Sequence, residues 1–277
     1  MFRRFLETVN GHTAYAYTGG KPFDASLPAV VFIHGAMHDH SVWALQTRAL
    51  AHQGFAVLAV DLPGHGRSTG PAPASVEEAA RWVVDLIAAA GVQRAALVGH
   101  SLGSLIALEA AALLGERTTH LVLVASTFPM KVSPALLGTA LDQPLKAIDM
   151  VNALSHSTLA AKPSAPAPGF WLHGGNRALM RRLQSAYAAG GHGNLFHHDF
   201  QMCDRYTAGF EAAGRVRCPS RLILAHKDQM TPAKTSVALA SALNADSITL
   251  PAGHSLMGEA PDGVLNGIRS FLARSAP

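Results

Sequence analysis

Short apolar runs alternate with longer amphipathic segments along most of this chain. The apolar runs cover residues 30–34, 56–61, 95–99, 121–125, 221–225 and 247–250. Segments in which apolar residues recur with a helical period cover residues 41–53, 76–90, 102–114, 233–243 and 261–274. Strands that are apolar throughout are buried on both faces. The alternation therefore predicts an α/β protein with a mostly parallel sheet and helices on both faces.

Two further strands precede this alternating pattern. Residues 5–9 and 13–17 flank Asn10-Gly11, a dipeptide that favours the tight turn of a β-hairpin. With this antiparallel hairpin included, the predicted sheet has eight strands.

The strand pattern is interrupted once, between Phe128 and about Arg217. Pro and Gly are frequent at 163–169, which is predicted to be an extended linker. We therefore expect a core formed by residues 1–128 and 218–277, with a helical segment, residues 129–217, inserted after the sixth strand. The helices predicted within this segment cover residues 135–141, 144–155, 176–189 and 197–213.

The fifth predicted strand runs directly into Gly99-His-Ser-Leu-Gly103, which opens a helix rich in Ala and Leu. A sharp turn from strand to helix exposes the hydroxyl group of Ser101 at the strand tip, and it requires small residues two positions before and after the serine. The N-terminal amides of the following helix favour negative charge beside that hydroxyl. Ser101 is therefore a candidate nucleophile.

A serine nucleophile needs a base to remove its proton and a third group to orient the base. Asp228 follows the predicted strand 221–225, and His254 follows the predicted strand 247–250. The carboxyl ends of parallel strands lie on one edge of the sheet, where open α/β sheets bind their ligands. The spacing thus predicts a catalytic triad of Ser101, Asp228 and His254.

Taken together, these motifs resemble those of the α/β-hydrolase family. His34-Gly35 after a strand resembles the family's oxyanion loop, Asp-Leu-Pro-Gly-His-Gly-Arg-Ser at 61–68 resembles its turn after the next strand, and residues 252–261 resemble its histidine loop. One difference is Ala225, because the family commonly has glycine three residues before the acid. The resemblance implies the α/β-hydrolase fold and no cofactor.

The resemblance also implies two features of the site. The oxyanion hole is expected to consist of the backbone amides of Ala36 and Leu102. The inserted segment is expected to act as a lid that excludes water and shapes the substrate pocket. Candidate pocket residues from the oxyanion loop and the lid are Met37, His38, Met130, Trp171 and Phe200, with Met37 also an alternative oxyanion donor.

Composition and charge exclude several other classes of function. The chain has 277 residues, enough for one domain with an insertion. Its formal net charge of +4 is scattered, so no nucleic-acid interface is expected. No apolar stretch is long enough to span a membrane, and the N-terminus does not resemble a secretory signal, so we expect a cytoplasmic protein. Monomer and homodimer both remain open.

Two histidine-rich stretches suggest a metal site at first sight. His38 and His40 flank Asp39, and His197-His198-Asp199 lies in the inserted segment. Neither stretch has the helical spacing of zinc ligands, so no metal is expected.

The leading hypothesis is a serine hydrolase that cleaves small to medium carboxylic esters through an acyl-enzyme at Ser101. A hydrolase of carbon–carbon bonds in diketones is an alternative, although such relatives usually have Met-Gly-Gly where this chain has Leu102-Gly103-Ser104. A cofactor-free haloperoxidase or perhydrolase is another. From a different class, a hydrolase-like protein that only binds its ligand also stays open.

Overall fold

Strands are found at nearly all the predicted positions. The computed structural model describes residues 3–7, 11–159, 163–164 and 167–273. The turn residue Asn10 lies outside these ranges. The strands are β1 (Arg3–Glu7), β2 (Thr13–Tyr17), β3 (Ala29–Ile33), β4 (Ala56–Val60), β5 (Ala95–His100), β6 (Thr118–Val124), β7 (Pro163–Ser164), β8 (Ala167–Trp171), β9 (Ser220–Ala225) and β10 (Asp246–Leu250).

Eight of these strands form one sheet in the order β1-β2-β4-β3-β5-β6-β9-β10. The first pair is antiparallel, β2 is antiparallel to β4, and all remaining neighbours are parallel. The strand β5, which ends beside Ser101, therefore lies between β3 and β6 near the middle of the sheet. The predicted mostly parallel, eight-stranded α/β-hydrolase fold is confirmed.

Alternate residues of each central strand contact helices on opposite faces of the sheet. Val31 and Ile33 belong to the cluster formed with α2 and α3, whereas Val30 and Phe32 pack with α1 and α11. The helices are α1 (Ala44–His52), α2 (Val76–Ala89), α3 (Leu102–Leu114), α4 (Pro134–Asp142), α5 (Pro144–Leu154), α6 (Leu172–Ala189), α7 (Leu195–Arg205), α8 (Gly209–Arg215), α9 (Val237–Ala242), α10 (Leu256–Glu259) and α11 (Pro261–Leu272).

The segment between β6 and β9 differs from the prediction in two places. The helix predicted at 197–213 is divided into α7 and α8, because Tyr206 leaves the helix with an extended backbone and its hydroxyl donates a hydrogen bond to Glu109. Residues in the predicted linker 163–169 instead belong to β7 and β8, a short antiparallel pair. Proline is compatible with such a strand because its fixed φ is extended.

The inserted segment contacts the core through its own apolar cluster. Ile148 of α5, Met180 of α6 and Phe196 of α7 are buried together with Met37, which follows β3. Helix α8 packs instead against α3 of the core. No helix among the described residues is long and apolar enough to cross a lipid bilayer.

Helix α3 approaches the sheet so closely that it requires glycine at one contact. A Cβ atom on Gly103 would overlap the carbonyl oxygen of His34 and lie 2.5 Å from that of Ile33. Both obstacles are backbone atoms at the end of β3, so no side chain can rotate away to make room. The distance between α3 and β3 is thus set by the absence of this one side chain.

We expect Gly103→Ala to lower the free energy of unfolding by about 2 kcal/mol or more, because the added methyl group must displace backbone. The matched control is Gly138→Ala in α4, where a Cβ atom would meet nothing within 4 Å. That control should raise stability by up to about 1 kcal/mol through helix propensity. Urea unfolding measures both, and equal stabilities would contradict the close-approach argument.

Candidate active site

Ser101 occupies the turn between β5 and α3 in a backbone conformation that non-glycine residues rarely adopt. Its φ is 51° and its ψ is −121°. The amide of Ser101 donates to the carbonyl oxygen of Val124 at 3.0 Å, which ties the turn to the end of β6. A Cβ atom on Gly99 would overlap the carbonyl oxygen of Gly103, so the turn also needs glycine before the serine. Strain of this kind is typical of functional turns.

Asp228 and His254 form a buried pair at the ends of β9 and β10. The Nδ1 atom of His254 lies 2.9 Å from Oδ2 of Asp228. The hydroxyl of Thr231 donates to the same oxygen at 2.8 Å, and the amides of Met230 and Thr231 donate to Oδ1 at 2.8 Å. The carboxylate therefore has a full set of donors and a fixed orientation.

These contacts determine which nitrogen of His254 is basic. Burial by itself raises the pKa of Asp228, but the neighbouring His254 and the hydrogen bonds from Thr231 outweigh burial and hold that pKa well below its usual range. Asp228 is accordingly ionised near neutral pH and accepts the Nδ1 proton of His254. The other ring nitrogen, Nε2, is left free to take a proton.

Ser101 and His254 line one cavity of about 190 Å³. Three of the predicted pocket residues, His38, Met130 and Phe200, also line it. The rest of the lining is largely apolar and comes from the inserted segment, including Leu136, Val151, Leu154 and Met180. The cavity thus combines a nucleophile and a base from the core with walls from the inserted segment.

Two backbone amides beside this cavity have no acceptor among the described residues. Leu102, the first residue of α3, has no earlier helical carbonyl to bond. Ala36 lines the cavity, and its amide makes no hydrogen bond within the part of the chain that the structure describes. These are the two donors expected from the sequence, and both are available to an anionic oxygen.

Two predicted pocket residues lie elsewhere. Met37 is fully buried in the apolar cluster of the inserted segment, and its amide donates to Asp199 at 2.8 Å, so it is neither a pocket wall nor a free oxyanion donor. Trp171 is 43% exposed and lines a second cavity of about 480 Å³. The sequence shows only that Met37 lies in the oxyanion loop and Trp171 in the inserted segment. It does not show whether either side chain faces the cavity beside Ser101.

His38 and Asn176 line both cavities. The Nε2 atom of His38 lies 2.7 Å from Oδ1 of Asn176, whose amide nitrogen donates to Asn152 at 2.8 Å. Asn152 in turn donates to the carbonyl oxygen of His173 at 2.9 Å. Because these two contacts fix the orientations of the Asn152 and Asn176 amides, Oδ1 of Asn176 is the acceptor and Nε2 of His38 carries the proton. Burial lowers the pKa of His38 to about 4, so the ring is neutral.

Other histidines hold the loops of the site together. The Nε2 atom of His100 donates to the carbonyl oxygen of His254 at 2.9 Å, and the centroids of the two rings lie 4.9 Å apart. His34 accepts the amide of Leu62 at Nε2 and donates to Gly35 from Nδ1. Burial lowers the pKa of His34 to about 4, in agreement with a neutral ring.

Among the described residues, one group of side chains has ligand atoms close enough together to hold a metal ion. Ligand atoms of Asp39, His40 and Asp61 lie within 4.8 Å of one another. Each carboxylate is already engaged, however. Asp61 accepts from the amide and ring of His40, and Asp39 accepts from Ser41 and Arg182. These bonds support the neighbouring turn and leave the geometry explained without an ion.

Comparison with known proteins agrees with this arrangement. A family model described as the alpha/beta hydrolase fold matches residues 28–261. The chain belongs to this family. The assignment made from the α/β-hydrolase motifs is thereby confirmed.

Individual relatives of this α/β-hydrolase are distant. Rv2715, an uncharacterized protein of Mycobacterium tuberculosis, is 34% identical over 120 residues, which are 43% of this chain and 35% of that protein, so the chain spans about a third of its length. RutD of Escherichia coli, provisionally named a carbamate hydrolase, is 26% identical over 90% of this chain and 94% of its own. An esterase from Exiguobacterium antarcticum shares the fold, with a TM-score of 0.81 at 16% identity over 99% of this chain and 100% of that one.

Acid should destabilise this protein through its buried neutral histidines. The pKa of His34 and of His38 is about 4 in the folded state against an ordinary value of 6.5. Between these values the unfolded chain binds more protons, so the free energy of unfolding falls as the pH is lowered from 6.5 to 4. Each histidine contributes a slope of up to about 1.4 kcal/mol per pH unit.

Urea unfolding at several pH values within that window tests this prediction. His38→Gln should lose less stability per pH unit than the wild type, because one titrating group is removed. Parallel pH profiles for the two proteins would contradict it.

Proposed function

We propose that this α/β-hydrolase cleaves small carboxylic esters through an acyl-enzyme at Ser101. His254 takes the proton of the Ser101 hydroxyl as Oγ attacks the ester carbonyl carbon. The amides of Ala36 and Leu102 stabilise the resulting oxyanion. His254 then gives its proton to the departing alcohol, and water, activated by the same histidine, releases the acid.

The buried hydrogen bond between His254 and Asp228 is the observation that carries this proposal. A carboxylate with four donors and a depressed pKa keeps the histidine in the tautomer that a general base requires. That histidine shares a cavity with Ser101, and the amides of Ala36 and Leu102 have no acceptor among the residues that the structure describes. A protein that only bound its ligand would have no need for this pairing, so the arrangement favours catalysis.

The size of the cavity supports a short acyl group. Ligand sites for drug-sized molecules usually enclose about 300 to 1,000 Å³. The cavity beside Ser101 encloses about 190 Å³, and Phe200 and Met180 are among its lining residues. We therefore assign acetyl- to butyryl-sized acyl groups to this space, and the inserted segment acts as the lid that bounds it.

Carbamates are a second candidate class. The similarity to RutD covers nearly the full length of both chains. The same nucleophile and oxyanion donors would attack a carbamate carbonyl, with loss of an amine or alcohol in place of the ester's alcohol. Relative turnover of matched ester and carbamate substrates distinguishes the two classes.

We expect Ser101→Ala to abolish ester turnover while the fold is retained, with a loss on the order of 10⁴-fold or more. Release of p-nitrophenol from its acetate and butyrate esters measures the loss. A fluorophosphonate probe should label the wild type and fail to label the variant. The control is Ser133→Ala, a serine that lines the same cavity and should still allow labelling of Ser101. Labelling of Ser101→Ala would remove this residue from the mechanism.

Phe200→Ala should shift the acyl preference toward longer chains, since it removes a large side chain that lines the cavity. We expect the ratio of kcat/KM for hexanoate to acetate esters of p-nitrophenol to rise about tenfold, comparable to one or two methylene groups gaining space. Trp171→Ala is the matched control because Trp171 lines only the second cavity. An unchanged ratio in Phe200→Ala, or an equal shift in both variants, would contradict the assignment of this wall.

A further inference from the structure

The amide of Ala36 is carried by a tight turn that the inserted segment holds from outside. The turn comprises residues 35–38 and is closed by a hydrogen bond of 3.3 Å from the amide of His38 to the carbonyl oxygen of Gly35. Met37, its third residue, has a φ of 57°. The amide of Met37 donates at 2.8 Å to Oδ2 of Asp199, which lies on α7.

This contact stabilises a turn conformation that the sequence disfavours. A positive φ at the third residue is typical of a type II turn, which usually has glycine there, and methionine adopts it only at a cost. Rotation of the central peptide would give the type I turn, in which Met37 has a favourable negative φ. That rotation turns the Met37 amide away from Asp199. The carboxylate therefore selects the observed orientation.

Asp199 is well suited to this task because its charge is compensated inside the protein. It is fully buried, and its Oδ2 atom also lies 2.9 Å from Nε2 of His65, whose other nitrogen lies 3.1 Å from the carbonyl oxygen of Pro63. Both ring nitrogens of His65 thus face acceptors, and both can donate only when the ring is doubly protonated and positively charged. Burial lowers the pKa of His65, but the contact with Asp199 outweighs burial and raises it.

The same helix also contributes directly to the cavity. Phe200, the neighbour of Asp199 on α7, lines the space beside Ser101. When α7 packs on the core, it therefore places Phe200 in the lining of the cavity and Asp199 beside the Met37 amide at the same time. Met37 and Asp199 are both fully buried, so water cannot substitute for the carboxylate while α7 is docked.

We infer that Asp199 is a positioning residue for the oxyanion hole. It does not touch the substrate but acts through the Met37 amide to hold in place the turn of residues 35–38, which carries the Ala36 amide beside the cavity. The inference rests on the proposed function, because it assigns a role in forming the acyl-enzyme. It adds that the hole is complete only when the inserted segment is docked.

Steady-state kinetics with a short p-nitrophenyl ester, together with a transition-state analogue, test this role. In Asp199→Ala we expect kcat to fall about 10- to 100-fold, less than the loss of an oxyanion donor itself, with KM changed by less than about threefold. Affinity for a trifluoromethyl ketone, which forms a tetrahedral adduct with Ser101, should fall by a similar factor. Asp199→Asn retains an acceptor for the Met37 amide and should recover part of both losses.

His198→Ala is the matched control. His198 precedes Asp199 on α7 and also contacts the core, through a hydrogen bond of 2.8 Å between Nε2 and the carbonyl oxygen of Pro73. Its removal weakens docking of the segment without touching the oxyanion turn. We expect kcat and the analogue's affinity to stay within about threefold of the wild type, measured at a temperature where circular dichroism shows every variant folded.

The outcomes separate this inference from the proposed function. Wild-type protein that hydrolyses no ester and is not labelled at Ser101 would overturn the proposed function and the inference with it. An active wild type whose kcat and analogue affinity are unchanged by Asp199→Ala, or are lowered equally by His198→Ala, would overturn the inference alone. If Asp199→Ala does not fold, Asp199→Leu decides by the same comparison with His198→Ala, because leucine is close to aspartate in size and offers no acceptor to the Met37 amide.

Discussion

The close approach of helix α3 to the central strands is the constraint on which the rest of the site depends. Gly99 and Gly103 have no side chains, so the helix begins almost against the ends of β3 and β5. That position forces Ser101 into its unusual backbone conformation and brings the first amide of α3 beside the serine hydroxyl. Any outward shift of α3 would separate the nucleophile from both Ala36 and His254, which lie in the loops after β3 and β10.

Around this turn, the polar groups are buried and their hydrogen bonds determine their charge states. His34 and His38 are neutral because each has one nitrogen that donates and little compensation for burial. His65 lies beside His34, with ring centroids 5.0 Å apart, and is driven toward the charged form by Asp199. The pKa values of these two adjacent rings are thus shifted in opposite directions, downward at His34 and upward at His65. The difference arises from their partners and not from their degree of burial.

Local patterns were sufficient to predict the sheet, most helices and the positions of Ser101, Asp228 and His254. These features depend on periodicity and on loops that follow strand ends, both of which can be read within ten or so residues. The short pair β7 and β8 could not be predicted this way, since strands of two to five residues rich in proline show no alternation. The two strands lie in a stretch whose frequent proline and glycine residues are typical of a linker.

The partners of the site residues were beyond such patterns. Asp199 and Met37 are separated by 162 positions, and His38 and Asn176 by 138. The sequence around a single buried polar side chain does not show which group it will bond. At this site the partner depends on how the inserted segment packs against the core. The histidine-rich stretches at 38–40 and 197–199 each supply hydrogen bonds that join the core and the inserted segment.

The lining that the two cavities share differs from a wall of packed apolar side chains, because it includes the hydrogen bond between His38 and Asn176. An intramolecular hydrogen bond contributes only about 1 kcal/mol to stability, whereas removing a packed apolar side chain costs about 2 to 5 kcal/mol. Both side chains line the spaces of about 190 and 480 Å³, so a rotation of either one changes the shape of both. The sizes of ligand that the two spaces accept are therefore coupled through this one pair of side chains.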